Sequence, residues 1–181
     1  MGGGDEMTTR LFGGYGGRYV QSIDGLSGSL SSQHDWFLFV NGVESGTGAA
    51  DVRLRPGDIE WWDYRSWSGG AMSVPVVLGA FPEPFLHGFQ WAKRGGLVVY
   101  GRTSDASVAR AIAREIGGKA KSFVGMKADL VVIGNLISIG DSAPSGIRRE
   151  DNDATLHLTS ADAARLAANP AALRFQYGVA K

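Results

Sequence analysis

The densest group of side chains able to recognise a ligand is Trp61, Trp62, Asp63, Tyr64, Arg65 and Trp67. Indole faces suit flat conjugated rings or the faces of sugars, and charged groups beside them can fix orientation. Strand alternation sends Trp61 and Asp63 to one face and Trp62 and Tyr64 to the other, so at least one large ring is expected outside the core. Trp36 and Asn41, on a neighbouring aromatic segment, complete the expected ligand-binding set. The competing reading is plain packing, because aromatic rings dominate ordinary cores.

A second candidate is an anion site at Arg102, Thr103 and Ser104 within Gly101-Arg102-Thr103-Ser104-Asp105. This segment lies between an expected strand and an expected helix, where free N–H groups and the positive end of the helix dipole favour negative charge. Routine helix capping uses the same residue types. Asn135, after the next expected strand, would face the same crevice if the two strands are parallel neighbours. The run Gly13-Gly14-Tyr15-Gly16-Gly17 reads as an adaptable loop and has no dinucleotide fingerprint. Gly117-Gly118-Lys119 ends a helix instead of opening one and is followed by Ala120, which excludes a phosphate loop.

No catalytic residues and no metal site are expected. His34, His87 and His157 are far apart and lack paired ligand spacing. Gly140-Asp141-Ser142-Ala143-Pro144 fails the nucleophile-elbow pattern at its last position. Asp63 and Glu83 are separated by a loop whose shape the spacing does not define, and Arg148-Arg149-Glu150-Asp151 neutralises itself.

The elements that must carry these groups differ between the two halves. Fourteen of the eighteen aromatic residues lie in the first 91 positions, including all five tryptophans, and the remainder is rich in Ala, Val, Ile and Leu. In the first half, Arg18 to Ile23 reads as a strand closed by Asp24-Gly25. Asp35 to Val40 is a strand apolar on both faces, ending in Asn41-Gly42. Val52 and Leu54 alternate with Arg53 and Arg55, Pro56-Gly57-Asp58 turns the chain, and Ile59 to Tyr64 is a further strand. In the second half, Leu97 to Tyr100, Leu130 to Ile133 and Thr155 to Leu158 read as strands. Val108, Ala111, Ile112 and Ile116 form a helical face capped by Thr103 or Ser104 and ended by Gly117-Gly118. Ser160 to Ala168 is a second helix, stopped by Asn169-Pro170. Leu173, Phe175, Tyr177 and Val179 alternate in a closing strand.

The expected organisation is a flexible leader over residues 1–12, a β-rich module over 13–74, a proline-rich connection over 75–91 and an α/β subdomain over 92–181. The fold class is α+β. Eighteen basic and eighteen acidic side chains cancel, so nucleic-acid binding is disfavoured. No apolar run reaches the roughly 20 residues of a membrane helix. The absence of cysteine excludes disulfides, thiol catalysis and thiolate metal sites. The 27 glycines are about twice the usual share.

Trp36-Phe37-Leu38-Phe39-Val40-Asn41-Gly42, followed by Leu54-Arg55-Pro56-Gly57-Asp58-Ile59-Glu60-Trp61-Trp62-Asp63-Tyr64, resembles the transcobalamin C-terminal-like domain, a β-grasp module of bacterial secreted and surface proteins. Arg18 to Gly28 is similar to the strand that precedes this pattern, and the resemblance spans about residues 13–70. It implies a β-grasp-like N-terminal half and an extracytoplasmic location, with a signal segment and an opening strand that this sequence does not carry. It implies no certain cofactor, and a cobalamin-like or other planar ligand. The expectation is therefore a non-enzymatic small-ligand binder, with the crevice between the halves as its site. The alternative is a cell-surface structural or protein-interaction module.

Overall fold

The computed structural model describes residues 6–11, 18–68, 76–88, 95–123, 134–150 and 153–174. The fold is α+β, and the chain divides into two compact units, Met1–Val40 with Glu44–Val74 and Asn41–Val43 with Pro75–Lys181. The expected Gly13–Gly17 loop, the expected strand Leu130–Ile133, Trp91, and Phe175, Tyr177 and Val179 lie outside the described residues.

In the first unit, β1 (Met7–Leu11), β2 (Arg18–Ile23) and β3 (Leu26–Ser27) form an antiparallel sheet in chain order. Asp24 and Gly25 both take positive φ, 50° and 76°, the left-handed geometry that a tight hairpin needs. β1 corrects the expected leader. In its sequence Met-Thr-Thr-Arg-Leu, Met7 to Arg10 are exposed and no apolar period announces a strand, so it is held by pairing with β2. The Thr8 and Ser22 hydroxyls hydrogen-bond across that pair at 2.6 Å.

A second sheet has the order β5-β4-β6, with β4 at His34–Val40, β5 at Val43–Glu44 and β6 at Glu60–Ser66. β4 and β6 are antiparallel, with Trp36 opposite Tyr64, Leu38 opposite Trp62 and Phe37 opposite Asp63. Trp36 Nε1 donates to the Leu26 carbonyl and the Tyr64 hydroxyl to that of Ser27, so β3 is tied to both strands. The expected alternation at Val52 and Leu54 does not produce a strand. A 3-10 turn, Ala49–Asp51, leads into a stretch outside any sheet, and Leu54 is half exposed. Arg53 and Arg55 would put two charges on the face opposite Val52 and Leu54, and no partner strand repays that pattern. The Pro56-Gly57-Asp58 turn is present, with Gly57 at φ 93° and the Asp58 carboxylate accepting from Arg55 N–H at 2.6 Å.

The second unit is built on a five-stranded sheet in the order β10-β11-β9-β7-β8. Its elements are β7 (Gly96–Tyr100), α1 (Ala106–Glu115), β8 (Lys119–Ser122), β9 (Asn135–Ile139), β10 (Gly146–Glu150), β11 (Asp153–Leu158) and α2 (Ser160–Ala168). β11, β9, β7 and β8 are parallel, and β10 joins antiparallel at the edge. Val98, Ile137, Leu156 and Leu158 are fully buried in one core with Ala109 and Ile112 of α1, Ile116 just after it, and Ala163 and Leu166 of α2. The inner strands β7, β9 and β11 are apolar enough to be covered, as interior parallel strands must be.

The expected cap of α1 needs correction. The helix starts at Ala106, after a 3-10 turn over Thr103–Asp105, and neither Thr103 nor Ser104 makes a capping bond. Its end is as expected: Gly117 has φ 59°, and the Gly117 and Gly118 N–H groups return to the Arg114 and Ala113 carbonyls. Arg148, Arg149 and Glu150 sit in the edge strand β10. β8, Lys-Ala-Lys-Ser, carried no strand signal; parallel pairing with β7 makes it one.

Candidate functional site

The β4–β6 register divides the aromatic cluster. His34, Trp36 and Leu38 share one sheet face with Trp62 and Tyr64, while Asp35, Phe37 and Phe39 share the other with Trp61, Asp63 and Arg65. On the second face Phe39 is fully buried and Asp63 nearly so. The Asp63 carboxylate accepts from Arg65 Nε and Nη2, and that guanidinium lies 5.6 Å over the Phe39 ring. This is an interior ion pair backed by a ring. Trp67 follows the strand, with its N–H donated to the Gln33 carbonyl. Asn41 is a buried turn residue at φ 51°, counted with the second unit.

The first face carries a concavity of about 180 Å³ lying wholly within the first unit. Trp36, Leu38 and Trp62 line it from the sheet, Tyr19 and Val20 from β2, and Glu44 with Ser45 and Thr47 from the segment that follows β4. Of these lining residues Val20 and Leu38 are buried and apolar, while Trp36 and Trp62 are half-buried. Tyr64 stacks against His34 and lies 5.1 Å from Trp36, which braces the Trp36 ring from its side.

Each polar ring hydrogen at this site is already committed. Trp36 Nε1 donates to the Leu26 carbonyl at 2.8 Å, Trp62 Nε1 to the Glu60 carboxylate, and the Tyr19 hydroxyl to the Asp35 carboxylate. Burial, then the hydrogen bond to Asp35, then its charge hold the Tyr19 phenol well above the usual tyrosine range, so it stays neutral. Tyr19, Val20, Glu44, Ser45 and Thr47 were outside the expected set. Only the hairpin return of β2 and the path of the chain after β5 bring them to the sheet.

The expected anion site looks different. Arg102 donates to the Asp141 carboxylate at 2.6 Å, so an internal anion takes the place a ligand would use. Asp141 also accepts the Ser160 N–H at 2.9 Å, and the Ser160 hydroxyl donates to buried Asp105. Asn135 does not join this group. It opens β9 in register with Gly96, at the opposite strand end from Arg102, and its side-chain Oδ1 accepts from Ala154 N–H.

The Ser160 N–H, followed by the Arg102 charge, holds the Asp141 carboxyl below the usual carboxylate range. The Ser145 hydroxyl, then Arg165 and Thr159, do the same for Asp162. Both groups have folded values below their unfolded ones. Their stabilisation is present above the unfolded value near 3.9 and is lost as pH falls through the depressed values. The thermal midpoint of the second unit should therefore drop below about pH 4, and Asp141→Asn with Asp162→Asn should flatten that drop. An acid limb unchanged in the double variant would refute the assignment.

Two further pairs of chemistry-bearing groups are internally satisfied. Buried Glu83 accepts from the His87 backbone N–H and pairs with its ring Nδ1. His157 places Nδ1 2.8 Å from Ser138 Oγ and Nε2 3.2 Å from the Ala143 carbonyl. A carbonyl only accepts, so Nε2 carries the hydrogen and Ser138 donates to Nδ1. Both residues are mid-strand, directly paired in the sheet. No group of three or more His, Asp or Glu side chains suited to a metal occurs among the described residues. No helix of the described residues is long and apolar enough to cross a membrane.

No curated protein and no solved structure matches the chain. An uncharacterised family, described as a domain of unknown function (DUF4430), matches residues 6–66, running from the residue before β1 to the last of β6 and so containing every residue that lines the concavity.

Proposed function

We propose that the first unit binds a small ligand at the concavity between Tyr19, Trp36 and Trp62, without catalysis. The observation that carries this reading is one concavity lined by two half-buried indoles, Trp36 and Trp62, together with buried Val20 and Leu38. Ligand sites are concave, mostly apolar and dressed with few polar groups. The volume is below that of an enclosed drug-sized pocket, so the site takes a small molecule or one flat edge of a larger one. The resemblance to the transcobalamin C-terminal-like domain supports a planar, cobalamin-like ligand and a location outside the cytoplasm.

The test is a titration of the full chain with cobalamin and haem, read by tryptophan fluorescence, in the wild type and in Trp62→Ala. Saturable quenching that weakens roughly tenfold or more in the variant is expected, as loss of a buried aromatic contact requires. Flat curves up to millimolar ligand remove those two ligands. The alternative, a cell-surface interaction module, draws on the exposed Leu26 and Leu30, at 46% and 85%. It predicts a concentration-dependent oligomer that Leu30→Ser abolishes.

A further inference from the structure

We infer that the ligand group seated in the first-unit concavity is an organic cation of the quaternary-ammonium type; this rests on the reading of the concavity as a ligand site. The argument is one of electrostatic sign. An aromatic ring presents a negative face, which attracts a cation within about 6 Å of its centroid. Trp36 and Trp62 are the large half-buried rings lining the hollow, with Tyr19 beside them.

Their polar hydrogens all point to acceptors, two of which are carboxylates. Donation to an anion pushes electron density back into the ring, because hydrogen-bonded groups polarise one another. These bonds also take up the ring N–H and O–H groups of Trp36, Trp62 and Tyr19, which an anionic ligand would otherwise use. Glu44 lines the hollow directly, and Asp35 and Glu60 stand behind two of the rings. Among the described lining residues there is no lysine or arginine. Among the described lining residues, an anion would meet aromatic rings and the Glu44 carboxylate with no basic side chain beside them. A methylated ammonium meets the same groups favourably, and its methyls match the apolar lining residues Val20 and Leu38.

The geometry also separates this site from the guanidinium already present in the unit. Arg65 stacks on Phe39, on the opposite face of the same sheet, where Asp63 neutralises it. The sheet therefore uses a ring-and-carboxylate pairing to hold a cation internally on one face, and presents the same two chemical elements to solvent on the other.

The experiment titrates the full chain with choline and with its uncharged carbon isostere, dimethylbutanol, following tryptophan fluorescence, alongside the cobalamin and haem series. Choline should bind at least roughly tenfold tighter than the isostere. Glu60→Gln, at an exposed position, should weaken choline by roughly threefold and leave the isostere unchanged. Equal binding of choline and isostere, or binding of cobalamin or haem without choline, overturns the cation inference and leaves the small-ligand reading standing. Silence from all four probes overturns both.

Discussion

Asp63→Ala is expected to destabilise the first unit by about 3–5 kcal/mol, the cost of removing one partner of a buried ion pair. Asp63 is 3% exposed and Arg65 12%. The substitution removes the carboxylate that balances a guanidinium held against the fully buried Phe39 ring. Water cannot readily replace that carboxylate at such a depth. The pair itself is not worth the same amount, since desolvation offsets most of its attraction. The double variant Asp63→Leu with Arg65→Met should therefore recover most of the loss. Urea unfolding reads this directly, because Trp36, Trp61, Trp62 and Trp67 all belong to the first unit. A midpoint unmoved by Asp63→Ala, or a double variant as unstable as the single, would show that the pair is not interior. Because these residues face away from the concavity, the folded double variant should keep wild-type ligand affinity.

Gly118→Val should cost the second unit about 3 kcal/mol, the upper end for overpacking a close contact. A Cβ at Gly118 would lie 2.4 Å from the Gly96 carbonyl oxygen and 3.1 Å from Ile116 Cδ1. The first neighbour is backbone of β7, which is paired on both sides by β8 and β9 and has little freedom to yield. Gly117→Ala makes the comparison informative. Gly117 has φ 59°, so its cost is conformational, about 1 kcal/mol. A thermal melt followed by helix circular dichroism should rank the wild type above Gly117→Ala and that above Gly118→Val. The reverse order would mean that β7 moves freely at its start.

These two cases mark the line between what is local and what is not. The turns Asp24-Gly25, Asn41-Gly42 and Pro56-Gly57 are visible in the chain, because a few residue types alone tolerate their dihedral angles. The separation of Trp61 and Asp63 from Trp62 and Tyr64 is visible too, since alternation is a property of one strand. The helix α2 is readable from its Thr159 cap, whose hydroxyl accepts from Asp162 N–H, and from its apolar spacing. By contrast, β1 and β8 are polar and exposed, and are strands only because a neighbour completes their hydrogen bonds. Arg102 has the composition of an anion receptor, yet a carboxylate 39 residues away occupies it.

The residue sequence by itself determined the α+β class, the turn positions, the two helices and the concentration of aromatic surface in the first half. These follow from dihedral preference and hydrophobic period, which act over a few neighbouring residues. Tertiary structure alone decided which sheet face became interior, that Asp63 and Arg65 neutralise each other there, and that Tyr19, Val20 and Glu44 join Trp36 and Trp62 around one hollow. Those outcomes depend on contacts between segments distant in the chain, and such contacts form only when pairing register and burial are settled together.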